Sequence, residues 1–136
     1  MPTTNQPKTE DREKPWRAVI YLSEPVPNYL DEPRDELSID QQLVLCRCVA
    51  AVMQYEVVGE FTDSRADLAS RPGLRQMIEA VETQRIDFLI ITSLERLADS
   101  YHDITRIAWK LGRAGTVPVP AEVGIGLPAK AQPSRD

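Results

Sequence analysis

Four consecutive apolar residues, Phe88 to Ile91, constrain the fold of this chain more than any other stretch. The run is too short for a buried helix, and Thr92, Ser93 and the charged pair Glu95 and Arg96 follow it closely. A short unbroken apolar run bounded by polar residues is the pattern of a strand covered on both faces. Such a strand needs neighbouring strands beside it and helices above and below. Arg17 to Leu22 (RAVIYL), Tyr55 to Phe61 (YEVVGEF) and Val117 to Val123 (VPVPAEV) read as the neighbours. The prolines of the last cannot donate ladder hydrogen bonds, so that strand is expected at an edge.

Helical periodicity fills the intervals. Ser38 and Gln41 have the spacing of a capping box. Ile39, Leu43, Cys46, Ala50 and Met53 then recur at steps of four and three, which predicts one buried face. Pro72 suits the first turn of a second helix, whose apolar face is Leu74, Met77, Ile78 and Val81. Ser100 and Asp103 resemble another capping box, and Ile104, Ile107, Ala108 and Leu111 continue that helix. Gly115 is placed to end it in a left-handed conformation. The order β-α-β-α-β-α-β predicts an α/β fold with a mostly parallel sheet of four or five strands, right-handed crossovers and flanking helices. Residues 1–15 and 124–136 carry no such pattern and read as disordered, which leaves 16–123 as the domain.

Composition narrows the function. Net charge is −5 over 136 residues, and residues 24–37 alone carry five acids against Arg34. Phosphate neutralisation supplies most of the affinity of a DNA binder, so weak or absent DNA binding by the chain alone is expected. No apolar run approaches the length of a bilayer span and the amino terminus has no signal pattern, so a cytoplasmic location without membrane contact is expected. Cys46 and Cys48 point in different directions on a helix and His102 is the single histidine, so neither a metal nor a cofactor is expected. His102 reads as an exposed helix residue, and Trp16 and Trp109 as packing residues.

The segments YLSEP (21–25), SIDQQLVLC (38–46), YEVVGEFTD (55–63), RPGL (71–74) and DFLIITSLERLADS (87–100) stand in the order and spacing of a known family. The chain resembles the serine recombinase catalytic domain, the amino-terminal domain of resolvases and invertases, over roughly residues 17–123. The resemblance implies a resolvase-like fold and DNA strand exchange through a covalent phosphoserine, with arginines offsetting charge on the phosphate. It places Tyr21 at the strand-end tyrosine, Gln42 at the glutamine near the active site and Asp63 at the aspartate after the second strand. Arg71 and Arg96 take the positions of arginines and are the phosphate-binding candidates.

Four positions depart from the family pattern. Ser23 stands where an arginine is expected, and Pro25 replaces the serine nucleophile. Glu95 takes the place of an aspartate, and Asp99 puts a negative charge at a phosphate-clamping arginine. Ser23 faces the same side of its strand as position 25, but a two-residue offset is about 6–7 Å. A misplacement of about 1 Å already costs much of a reaction's rate. Pairing of Arg96 with Glu95, Asp63 or Asp99 in a surface ion network is the structural alternative to phosphate binding, and helix capping is the alternative for Asp99. Family members continue into a dimerisation helix and a DNA-binding region, for which no pattern is expected here.

The resulting expectation is a recombinase-like domain with no intact catalytic set. Tyr21, Ser23, Gln42, Asp63, Glu95 and Arg96 would be its remnant site. The domain would act as a binding or regulatory module toward an intact recombinase or a second copy of itself. The alternative is a divergent DNA phosphoryl-transfer enzyme using Ser23 with Arg71 and Arg96.

Overall fold

A computed structural model describes residues 15–24, 37–67, 69–98 and 100–122. Four strands, β1 (Arg17–Ser23), β2 (Glu56–Asp63), β3 (Phe88–Ile91) and β4 (Val117–Pro120), form one sheet. Their order is β2-β1-β3-β4, and every neighbouring pair is parallel. Helices α1 (Ile39–Met53), α2 (Pro72–Thr83) and α3 (Tyr101–Arg113) make the crossovers. The α/β class and the mostly parallel sheet expected from the sequence are both present.

Alternation along β1 and β3 divides the core in two. Val19, Tyr21, Leu89 and Ile91 pack with Leu74, Met77 and Val81 of α2 and Ile107 and Leu111 of α3. Ala18, Ile20, Leu22 and Ile90 face the other way, against Cys46, Val49 and Ala50 of α1. Burial of β1 and β3 on both faces explains why their sequences are apolar throughout. Burial pushes the Cys46 thiol up to about 12, whereas Cys48, two residues on, is exposed.

Local chemistry sets the element ends. Ser38 Oγ accepts from the Gln41 N–H at 3.1 Å, and Gln41 Oε1 accepts from the Ser38 N–H at 2.9 Å, so the capping box of α1 is complete. Ser100 Oγ caps α3 through the Asp103 N–H, while Asp103 Oδ1 accepts from Arg106. Gly115, at φ +84°, follows α3 in the left-handed conformation expected of it. Val117 N–H donates to the Asp87 carbonyl at 3.0 Å, and the strand's alternation turns the ring nitrogens of Pro118 and Pro120 to the open edge.

Some details differ from the sequence reading. β1 and β2 run on to Ser23 and Asp63, which pair in register. Tyr55 belongs to the helix exit, donating its N–H to the Ala50 carbonyl after the left-handed Gln54. Met53 lies in that last turn and is 52% exposed; Val49 holds the place on the buried face. β4 ends at Pro120, because Ala121 and Glu122 turn helical, and Val123 lies outside the described residues. Trp16 packs edge-on against the Phe88 ring at 5.8 Å although it is 56% exposed, whereas Trp109 is 61% exposed on α3. His102 is exposed, as expected.

Candidate functional site

The carboxyl ends of β1 and β2 bring the site residues together. Tyr21 follows Val19 on the face covered by α2 and α3, and its hydroxyl lies beside the end of β2. That hydroxyl donates to Asp63 Oδ2 at 2.7 Å and accepts from Arg71 Nη2 at 2.9 Å. Burial raises the Tyr21 pKa most, the Asp63 hydrogen bond raises it further, and Arg71 works in the opposite direction.

Asp63 is fully buried. Its Oδ1 accepts from the Gly73 N–H at 2.7 Å and its Oδ2 from the Leu74 N–H at 2.9 Å. The carboxylate therefore does the work of a cap for α2, whose own cap residue, Arg71, makes no side-chain cap bond. A carboxylate at a helix amino terminus also meets the positive end of the helix dipole. Pro72 starts the helix without wasting a donor. Gly73 is needed for contact: a Cβ there would lie 2.6 Å from the Thr62 carbonyl oxygen and 2.9 Å from Asp63 Oδ1.

Arg71 has a left-handed backbone, φ 52° and ψ 58°. Its guanidinium lies over the Tyr21 ring, 5.6 Å from the centroid. Nη1 donates to the Leu97 carbonyl, and Nη2 donates to the Arg96 carbonyl and to Tyr21. Among the described residues, Nε is buried without a hydrogen-bond partner. The side chain thus ties β1 and the start of α2 to the turn after β3.

Gln42 reaches the same strand end from the other face. Its Nε2 donates to the Ser23 carbonyl at 2.7 Å and to the Leu37 carbonyl at 3.1 Å, and its Oε1 accepts from the Ser23 N–H at 3.3 Å. The amide satisfies Ser23 backbone groups on the side away from β2, where β1 pairs with β3 only from Ala18 to Ile20. Ser23 itself is 3% exposed, and its carbonyl also accepts from Arg96 Nη1 at 3.5 Å. Glu95 is exposed on the 3-10 turn Leu94–Arg96.

The family model for the resolvase N-terminal domain matches residues 31–120. The chain belongs to the resolvase family. The matched span includes four of the five motif segments and every element from α1 to β4. Among solved structures, this resolvase domain is similar to the C-terminal catalytic domain of ISC1926 TnpA, an IS607-like serine recombinase. Identity is 22%, the TM-score is 0.60, and the match covers 76% of this chain and 68% of that one. It is also similar to the N-terminal catalytic domain of TP901-1 integrase, at 19% identity and a TM-score of 0.63, covering 78% and 77% of the two chains. A resolvase family site-specific recombinase from Streptococcus pneumoniae matches at 18% identity and a TM-score of 0.65, covering 81% and 74%. No curated protein matches the chain.

Within the resolvase domain, Tyr21, Asp63 and Arg71 form one hydrogen-bonded unit, and Arg96 adds its carbonyl to it. Gln42, Ser23 and the Arg96 side chain meet at the neighbouring strand end, while Glu95 stands outside both groups. Asp63 directs its oxygens to Tyr21 and the start of α2. Pro25 and Asp99 lie outside the described residues. The Gly73 and Leu74 N–H groups were missed as site members, although P-G after an arginine signals a helix start with close backbone approach. The Arg96 and Leu97 carbonyls were missed too, and no residue type announces a backbone acceptor. No described helix is long and apolar enough to cross a membrane.

Proposed function

We propose that this resolvase domain is a binding or regulatory module without recombinase chemistry, engaging an intact recombinase or a second copy of itself. One observation carries the reading: the Nη groups of Arg71 are committed to the Leu97 and Arg96 carbonyls and to Tyr21. Three of the five guanidinium N–H donors are engaged and a fourth, on Nε, is buried, so an incoming phosphate meets one Nη1 hydrogen at most unless it displaces those acceptors. Proline at position 25 adds to the case, because it has no nucleophile to offer. Weak or absent DNA binding by the chain alone accords with its net charge of −5.

Side-chain NMR of the Arg71 guanidinium tests this during titration with inorganic phosphate at low salt, with Arg71→Lys used for assignment. The expected result is that the Arg71 signals stay in place while exposed arginines shift weakly. A saturable shift of the Arg71 signals would overturn the reading.

The second reading, divergent phosphoryl transfer, rests on Ser23 standing at the carboxyl end of β1 next to the Arg96 side chain. It requires a covalent link between Ser23 and DNA.

A further inference from the structure

The solvent face of α3 stands apart from the rest of this acidic molecule. Its charged residues Arg106, Lys110 and Arg113 against Asp103 leave it at +2, so the remainder of a chain of net charge −5 carries −7. The same face exposes two large aromatics, Tyr101 at 85% and Trp109 at 61%. The Arg113 guanidinium lies over the Trp109 ring, 5.1 Å from its centroid. Beside them is a cavity of about 380 Å³ lined by Glu82, Trp109, Lys110, Arg113 and Ala114. Among the described residues neither Lys110 nor Arg113 has a carboxylate at ion-pair distance, whereas Arg106 pairs with Asp103 at 3.2 Å. Exposed Trp and Tyr interleaved with basic residues have the composition of a binding hot spot.

The chain contains a segment of complementary chemistry. Residues 25–36 carry Asp31, Glu32, Asp35 and Glu36 against Arg34, and they also hold Val26, Tyr29 and Leu30. Carboxylates would meet Lys110 and the open edge of Arg113, and an apolar side chain would fill the cavity against Trp109. Geometry favours a second copy over the chain's own segment. Gln42 holds the carbonyls of Ser23 and Leu37 at one point, so the residues between must go out and return. That limits their reach to about 20 Å. Trp109 lies eight residues along α3 from Tyr101, about 12 Å down the helix, and on the opposite face of the sheet from α1.

We propose that the Trp109–Arg113 face of α3 binds the acidic segment, residues 25–36, of a second copy of this chain. The inference rests on the reading of the domain as an association module and supplies its contact surface. The net charge of −5 and Glu82 at the cavity oppose any anionic occupant, but the segment, at −3 over residues 25–36 with Val26, Tyr29 and Leu30 among its acids, meets less repulsion than a nucleic acid charged at every nucleotide.

The test uses the full chain carrying Trp16→Phe, so that Trp109 is its single tryptophan. A synthetic peptide of residues 24–37 is titrated while Trp109 fluorescence is followed. Sedimentation of the full chain is measured in parallel. The expected result is a saturable fluorescence change that weakens as salt rises from about 50 to about 500 mM. Arg113→Glu should weaken peptide binding at least tenfold and reduce self-association, and a peptide with its acids changed to amides should not bind. Four results overturn the proposal: no saturable change, equal binding of the amide peptide, a single-stranded oligonucleotide binding where the peptide does not, or a monomer whose Trp109 is already shielded by its own segment. Self-association or capture of a recombinase that ignores Arg113→Glu refutes this surface and spares the module reading. A covalent DNA adduct refutes the module reading and spares this surface.

Discussion

Asp63 is the residue on which the strand end depends. It is fully buried and accepts from Tyr21, Gly73 and Leu74. Each hydrogen bond to a charged group contributes about 1.5–3 kcal/mol, and donors left buried without a partner cost more. Asp63→Ala is therefore expected to destabilise the domain by about 3 kcal/mol or more in urea unfolding. Tyr21→Phe, which removes only the hydroxyl, should cost about 1–2 kcal/mol in the same measurement. A loss below about 0.5 kcal/mol for Asp63→Ala would show that the carboxylate is not the cap of α2.

Two buried acids set the alkaline limit of stability. The folded Cys46 thiol holds its proton up to about 12, against 9.0 for a free thiol, and Tyr21 is raised above its ordinary 10.0. Above each ordinary pKa the unfolded chain gives up a proton that the folded chain keeps, so unfolding gains with rising pH. Their contribution is intact below pH 9 and falls from there, by at most about 1.4 kcal/mol per pH unit for each group. Urea unfolding between pH 8 and 11 checks this. Cys46→Ala should remove the part of the fall that begins near the thiol's ordinary pKa, and Tyr21→Phe the part that begins near the phenol's.

At the scale of elements, the helix starts carry the most local information. Ser38→Ala breaks the capping box of α1 and is expected to cost about 1 kcal/mol. Gly73→Ala should cost more, because the added Cβ meets the Thr62 carbonyl oxygen at 2.6 Å and backbone must shift. Thermal unfolding of the two variants side by side gives the order, and a Gly73→Ala protein as stable as the parent would contradict the close packing of β2 against α2.

These elements also mark what the sequence made legible. The capping box at Ser38, Pro72 at the first turn of α2, Gly115 after α3 and the edge prolines of β4 all act through local backbone chemistry, and each was readable from residue type. Met53 and Trp109 were misread, because periodicity and apolar character do not tell where a helix outruns its sheet. The site was readable as a set of positions but not as a network. Which acceptor Arg71 chooses depends on carbonyls of Arg96 and Leu97, some 25 residues away, and carbonyls look alike in every residue. Gln42 was found only through the family resemblance, since a glutamine that pairs with a strand end has no spacing rule of its own.

The whole molecule combines the resolvase fold with a strand end whose polar groups are engaged with one another. The sheet needs Tyr21, Asp63 and Arg71 to hold β1, β2, α2 and the turn after β3 together, and that need is independent of any reaction. Overall charge points the same way: a chain of net charge −5 should show no DNA retention above background in a low-salt gel shift, and tight, salt-sensitive retention would contradict this. The most direct measurement of the proposed loss of chemistry is incubation of the full chain with supercoiled and nicked DNA, followed by denaturation and a search for covalent protein–DNA adduct by gel and intact mass. The account predicts no adduct with either substrate; an adduct that disappears in Ser23→Ala would contradict it.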